Sequence, residues 1–316
     1  MSDTLELILT CIRLGSRNTN IYSFERADGG VLPGTSPGAH IALHLPDGME
    51  RQYSLMQGEE HPTAYHIAVK REEDGRGGSR WIHDQLRVGM SLTINAPQNH
   101  FPLNEGADYS VLIAGGIGIT PIYAMALRLR ELGRPFELHY TVRSRADAIL
   151  LKELGAWPNV AIRIGEESGG TKFPLADIVA AAPPQAHLYC CGPNEMLSVF
   201  EEAGVAGARP PKFMHVEYFA PKFEAATDHQ FVIELARSQL ELVVPAGKTI
   251  IEVVREAGVY VPYSCSEGVC GACETTVISG TPDHRDSILS EEEREANATM
   301  MVCCSGAKSD RLVLDL

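Results

Sequence analysis

Three cysteines stand at Cys265-x4-Cys270-x2-Cys273, and an adjacent pair, Cys303-Cys304, follows at a distance. Thiolates at this spacing, completed by a fourth from further along the chain, hold a [2Fe–2S] cluster. Gly268 and Gly271 lie inside the loop, where backbone angles closed to other residues let it wrap the cluster and aim N–H groups at sulfur. Zinc is the competing chemistry, but zinc sites use paired C-x2-C units and this stretch offers one. A thioredoxin-like pair at Cys270 and Cys273 would need a flanking βαβ pattern that the neighbouring residues lack. The sequence therefore predicts an electron-transfer centre here, with the rest of the chain as the source of its electrons.

Two further sets of residues carry chemistry. In the first, Arg51 can neutralise a phosphate through its planar fork, Tyr53 offers a flat apolar body, and Ser54 can hydrogen-bond a ring nitrogen. The Gly77-Gly78-Ser79 turn opens a predicted helix, Ser79 to Leu86, with Trp81, Ile82 and Leu86 as its apolar stripe. Its N-terminus is an anion site. In the second, Gly115-Gly116-Ile-Gly118-Ile-Thr120-Pro121 follows a buried strand and leads into a helix reaching about Leu132. Small residues there let backbone approach a pyrophosphate, although the glycines do not spell the full G-x-G-x-x-G fingerprint. Cys190 and Cys191 end a strand and point to opposite faces; Cys191, ahead of Gly192-Pro193, is expected to face the ligand. His61, His66 and His83 carry no ligand spacing and are expected to be surface or packing residues.

The elements needed to position these sets are legible in outline. Short strand-like runs (Leu5–Arg13, Ile21–Arg26, Ala39–Leu45, Tyr65–Lys70, Ser91–Asn95) suggest an antiparallel β-barrel over residues 1–104. Strands at Phe136–Val142, Val160–Gly165 and His187–Cys190 alternate with helices near Ala146–Leu154, Pro174–Ala181 and Asn194–Ala203. That alternation predicts an α/β domain with a parallel sheet over residues 105–220. A linker occupies 221–230, and residues 231–316 form an α+β, β-grasp-like domain around the cysteine loop. Within it, Gln230–Ala236 and Leu240–Val244 read as a hairpin, and Thr249 with Glu252 and Ser290 with Glu293 as capping boxes; Gly258 ends the first of the two helices.

At 316 residues the chain is multidomain by size alone. The formal charge of −14 excludes nucleic acid and anionic membrane surfaces as natural partners. No apolar run approaches the roughly 18 residues of a membrane span, and the N-terminus, Met1-Ser-Asp-Thr-Leu-Glu, lacks the pattern of a secretory signal. A cytoplasmic monomer is expected. Residues 231–316 hold 14 acidic against 7 basic side chains, a net of −7. That charge suits either steering toward a basic protein acceptor or simple solubility.

The motif order Arg51-x-Tyr53-Ser54, Gly115 to Pro121, then Cys191-Gly192-Pro193 resembles the ferredoxin-NADP reductase superfamily. With a C-terminal plant-type ferredoxin loop, the chain resembles the phthalate dioxygenase reductase family, which includes vanillate demethylase reductases, over essentially its whole length. The resemblance implies FMN rather than FAD on the barrel, held by Arg51, Gln52, Tyr53, Ser54, Ala68, Val69, Lys70, Gly77, Gly78 and Ser79. It implies NADH rather than NADPH on the α/β domain at Gly115, Gly116, Gly118, Thr120, Pro121, Cys191, Gly192 and Pro193. Ser54, Thr120 and Cys191 would lie nearest the chemistry, and Phe219 would stack on the flavin. Arg143 and Arg145 suit a 2′-phosphate as well as they suit acidic neighbours. The family's closing Met-Val-Cys-x-Ser segment selects Cys303 as fourth ligand beside Cys265, Cys270 and Cys273. The implied function is that of the reductase component of a Rieske oxygenase system, passing electrons from NADH through FMN and the cluster to a terminal oxygenase. The alternatives are a diiron hydroxylase or cytochrome P450 as acceptor, a cluster-only carrier, and a flavin-free binding module.

Overall fold

The computed structural model describes residues 4–316, so Met1, Ser2 and Asp3 of the N-terminal stretch lie outside the described residues. The chain divides into two compact units, one ending at Glu217 and the other running from Tyr218 to Leu316.

The first unit contains two sheets. Strands β1 (Thr4–Ser16), β2 (Thr19–Arg26), β3 (His40–His44), β4 (Glu50–Ser54), β5 (Tyr65–Lys70) and β6 (Ser91–Asn95) form an antiparallel sheet in the order β4-β3-β6-β1-β2-β5. Its two end strands meet, through a Leu55–Ile67 bridge and a 2.9 Å bond from Met56 N–H to the His66 carbonyl, so the sheet closes into a barrel. Period-two burial along the strands fills it with Leu7, Phe24, Ile41, Tyr65, Ile67 and Ile94. Helix α1 (Gly78–Gln85) seals one side with Ile82, and Leu86 just beyond it is likewise fully buried.

The second sheet is wholly parallel: β7 (Ser110–Gly115), β8 (Phe136–Val142), β9 (Val160–Ile164), β10 (His187–Cys191) and β11 (Met214–Glu217), in the order β11-β10-β7-β8-β9. Helices α2 (Ile119–Glu131), α3 (Leu151–Leu154), α4 (Leu175–Ala181) and α5 (Asn194–Ala206) connect the strands. The chain runs outward from β7 to β9 and then returns to β10 beside β7, so the topological switch point lies between β7 and β10.

One helix expectation is corrected here. Residues 146–154 do not form a single helix: a 3₁₀ turn at Arg145–Asp147 and the one-turn α3 are separated by Leu150 at φ 61°. Tertiary contacts override the local pattern. Arg17 N–H bonds the Ala146 carbonyl at 2.9 Å, and the Arg17 guanidinium pairs with Asp147 at 2.8 Å, pinning the segment to the end of β1.

In the second unit the hairpin β12 (Phe231–Leu235) and β13 (Leu240–Val244) is followed by α6 (Ile250–Glu256), β14 (Glu274–Ser279), β15 (Pro282–Asp283), α7 (Glu291–Ala296), β16 (Thr299–Met301), β17 (Gly306–Ala307) and β18 (Arg311–Leu314). The main sheet runs β13-β12-β18-β14-β16, with β18 parallel to β12, which is the β-grasp arrangement. Both capping boxes form as expected, and Gly258 ends α6 at φ 80°. The segment expected to be a linker is tied to this unit midway along its length, where Ala226 N–H donates to the Cys304 carbonyl at 2.8 Å.

Candidate functional site

Barrel closure brings three separated segments together. β4 carries Arg51, Gln52, Tyr53 and Ser54; β5 carries Ala68, Val69 and Lys70; Gly77, at φ 87°, precedes α1 at Gly78 and Ser79. Arg51 lies across the start of α1: a Cβ on Gly78 would sit 2.6 Å from Arg51 Cγ, so only glycine leaves room for it. Its guanidinium donates to the carbonyls of Glu50 at 2.8 Å and Arg76 at 3.0 Å. The residue before α1 caps it with no side chain, so first-turn N–H groups stand beside a guanidinium. That donor set fits a flavin phosphate. Ser79 accepts the Glu72 N–H at 3.1 Å, and Lys70 pairs with Glu72 at 2.6 Å, fixing the turn. His66 and His83 are packing residues, bonded to Ser23 and to the Val69 carbonyl at 2.8 Å each.

At the switch point the glycines serve close approach. A Cβ on Gly118 would lie 2.3 Å from the Cys191 carbonyl oxygen, and one on Gly115 would lie 2.7 Å from Met196 Sδ and 2.8 Å from Pro193 Cδ. Gly116, at φ 56°, has open space where its Cβ would be. The carboxyl ends of β7 and β10, with Gly192 and Pro193, therefore pack tightly and leave the outer edge of the turn clear for a ligand. Thr120 is buried and donates its hydroxyl to the Ile117 carbonyl at 3.0 Å, bracing the turn, and Pro121 is the third residue of α2.

Cys190 and Cys191 are both fully buried. The Cys191 thiol points to Glu217 Oε2 at 3.9 Å, and the Ser54 hydroxyl bonds the same carboxyl. Burial, and then the neighbouring carboxyl, push the Cys191 thiol well above its ordinary value, so it remains a protonated donor. Burial pushes Glu217 up to about 8, while its bonds to Cys191 and Ser54 pull the other way. A single carboxyl thus links the serine of the flavin motif to the cysteine of the nucleotide motif. Sequence reasoning missed Glu217: it sits in a strand with no spacing signal, and only register against β10 reveals its neighbour.

The three loop cysteines and Cys303 are all buried. Gly268 and Gly271 adopt φ 68° and 75°. Cys265 N–H points at Cys270 Sγ at 3.5 Å, Glu267 N–H points at Cys265 Sγ at 3.3 Å, and the Cys265 thiol also contacts those of Cys270 and Cys303. Cys304 contacts the Cys303 thiol and also reaches the Met301 carbonyl at 3.8 Å and Ser305 at 3.9 Å, against Gly268. Among the described residues no three Cys, His, Asp or Glu side chains gather as one metal ion requires. Four thiols around a glycine-bearing loop, with N–H groups aimed at sulfur, fit a two-iron cluster. Phe219 is 40% exposed and belongs to the second unit. Among the described residues no helix is long and apolar enough to cross a membrane.

Residues 233–308 match the family model of the 2Fe-2S iron-sulfur cluster binding domain. The whole chain is similar to phenoxybenzoate dioxygenase subunit beta of Ectopseudomonas oleovorans, 51% identical over 313 residues that cover 99% of this chain and 97% of that one. Among solved structures it is similar to phthalate dioxygenase reductase, described as modular for electron transfer from pyridine nucleotides to [2Fe-2S], with a TM-score of 0.74, 35% identity, and coverage of 99% and 98%. It is also similar to part of an intact type IV self-sufficient cytochrome P450 monooxygenase, with a TM-score of 0.88 and 35% identity, covering 99% of this chain but 41% of that one.

Proposed function

The chain belongs to the phthalate dioxygenase reductase family, and from that membership we propose that it takes electrons from NADH and delivers them to the terminal oxygenase of a Rieske-type system. One observation carries the reading: Ser54 of the flavin motif and Cys191 of the nucleotide motif share the Glu217 carboxyl. A hydride donor and its acceptor must meet face to face, and this is where the two motifs meet.

The chain's own residues bind, orient and exclude water. Arg51 and the α1 N-terminus would hold the FMN phosphate, with Tyr53 against the ring and Ser54 at its edge. Gly115, Gly116, Gly118 and Pro193 admit the pyrophosphate. The Glu217 carboxyl, protonated below about pH 8, keeps Ser54 and Cys191 in place without a buried charge. Cys265, Cys270, Cys273 and Cys303 would hold the cluster. When bound, the flavin converts a two-electron hydride into single electrons, and the cluster relays these one at a time.

The acceptor is read as a separate oxygenase on family grounds. The likeness to a reductase region within a P450 monooxygenase chain keeps a haem acceptor as the second reading. The chain is read as a cytoplasmic monomer. The test is to release the cofactors with acid, identify the flavin by chromatography, and assay iron and sulfide, alongside an anaerobic NADH titration. FMN, equal iron and sulfide, and bleaching of both chromophores are expected; a colourless protein, or one that NADH does not bleach, sinks the proposal.

A further inference from the structure

The loops after β8 and β9 hold two arginines and an ion pair, and β9 itself a third arginine, that the binding of a pyrophosphate does not use. Arg143 and Arg145 follow β8, and Glu166 and Glu167 follow β9; the loops are joined by a 3.0 Å bond from Glu166 N–H to the Arg143 carbonyl. Arg145 and Glu167 form a two-pronged pair, with Nε and Nη2 each 2.8 Å from a different carboxylate oxygen. Arg163 donates to the Thr171 carbonyl at 2.9 Å. Arg143 is exposed, and among the described residues its guanidinium makes no hydrogen bond or ion pair.

The pair stands at the rim of a cavity of about 610 Å³ whose apolar wall includes Leu151, Ile162, Ile164 and Phe173. That size and lining suit a small planar ring. The cavity lies by β9, two strands from the β7 glycine turn, a lateral step of about 10 Å. A dinucleotide with its pyrophosphate at β7 spans such a distance to its adenosine end.

We propose that this cavity receives the adenosine half of the dinucleotide and that Glu167, by occupying the fork of Arg145, is the residue that selects NADH over NADPH. The proposal rests on the dinucleotide reading above. A ribose 2′-hydroxyl can donate to Glu167, whereas a 2′-phosphate meets a carboxylate of like charge and a guanidinium whose fork is already filled. The arginines that would welcome the phosphate are present. What bars it is one carboxylate.

The test is Glu167→Gln in the full chain, with binding of 2′,5′-ADP and of 5′-AMP measured by calorimetry, and kcat/KM measured for NADH and NADPH with ferricyanide as acceptor. Removing one charge beside the phosphate should raise 2′,5′-ADP affinity and NADPH kcat/KM about tenfold. 5′-AMP binding and NADH kcat/KM should fall a few-fold, because a neutral amide accepts the ribose 2′-hydroxyl less strongly than a carboxylate, so the preference between the two dinucleotides shifts from both sides. Adding Arg145→Leu should cancel the gain for 2′,5′-ADP, which a merely structural role would not produce. If Glu167→Gln leaves 2′,5′-ADP affinity unchanged while NADH is still oxidised, the selector assignment alone is overturned. If the unsubstituted chain binds neither 5′-AMP nor 2′,5′-ADP and does not oxidise NADH, the dinucleotide reading fails with it.

Discussion

Residues 115–121 and residues 264–273 are glycine-bearing turns at the two candidate cofactor sites, and they are held in different ways. The first is gripped from outside. Parallel strands β7 and β10 fix both flanks, every residue of β7 is buried, and Gly118 rests directly on the Cys191 backbone. The second contains no strand or helix, and its ties are a few bonds, such as Ser287 N–H to the Gly268 carbonyl at 2.8 Å and N–H groups aimed at its own sulfurs. The lesson is that the first turn keeps its shape by packing, while the second takes much of its rigidity from what it wraps.

The largest effect should come from the proposed cluster ligands. Cys303→Ser is expected to abolish the electron paramagnetic resonance signal of the reduced cluster while NADH still bleaches the flavin. Cys304→Ser should keep the signal, because its thiol is engaged by the Met301 carbonyl and Ser305 and touches Cys303 alone among the four candidate ligands. A signal lost in Cys304→Ser and kept in Cys303→Ser would reverse the ligand choice.

Glycine substitutions sharpen the contrast next. Gly118→Ala puts a methyl 2.3 Å from a backbone oxygen in a site that cannot yield, and should cost about 3 kcal/mol in denaturant unfolding whether or not cofactor is bound. Gly116→Ala meets only the positive-φ penalty, about 1–2 kcal/mol. Gly268→Ala combines φ 68° with a methyl 2.4 Å from Cys304 Sγ. Its damage should appear as faster loss of iron, with a smaller change in the unfolding midpoint of the iron-free chain. Equal losses with and without iron would show that the loop is held by packing after all.

These differences explain what the sequence could disclose. Tyr65–Lys70, Ser91–Asn95 and Phe136–Val142 coincide with the observed strands because each is a short apolar run bounded by turn residues. The candidate cluster ligands Cys265, Cys270 and Cys273 could be proposed from the sequence because their spacing along the chain is itself the signal. Residues 146–154 misled because Ile149, Leu150, Leu151 and Leu154 have helical spacing, whereas their burial is set by the barrel and by Arg17. Glu217 was invisible for a related reason: its value depends on two residues, 163 and 26 positions away in the chain, meeting at one carboxyl. Chemistry written in spacing is readable; chemistry assembled by topology is not.

A last prediction separates the two regions by one carboxyl in each. Asp286, beside the cluster loop, accepts N–H bonds from Ile288 at 3.1 Å and Leu289 at 2.8 Å and faces Arg294 at 3.7 Å. Among the described residues Glu217 has the neutral Ser54 and Cys191 for partners, and burial pushes it from its ordinary 4.5 up to about 8. Between those values the folded chain holds a proton that the unfolded chain releases. Glu217 therefore contributes stability fully below about pH 4.5 and loses it as pH rises through about 8. Glu217→Gln keeps a neutral side chain of the same shape at every pH. The free energy of unfolding of the unsubstituted chain should fall relative to the variant by about 2 kcal/mol between about pH 5 and 9, a figure held below the full shift because Glu217 is partly exposed. Parallel pH profiles would mean that the carboxyl is already ionised at neutrality, and that the packed site tolerates a charge.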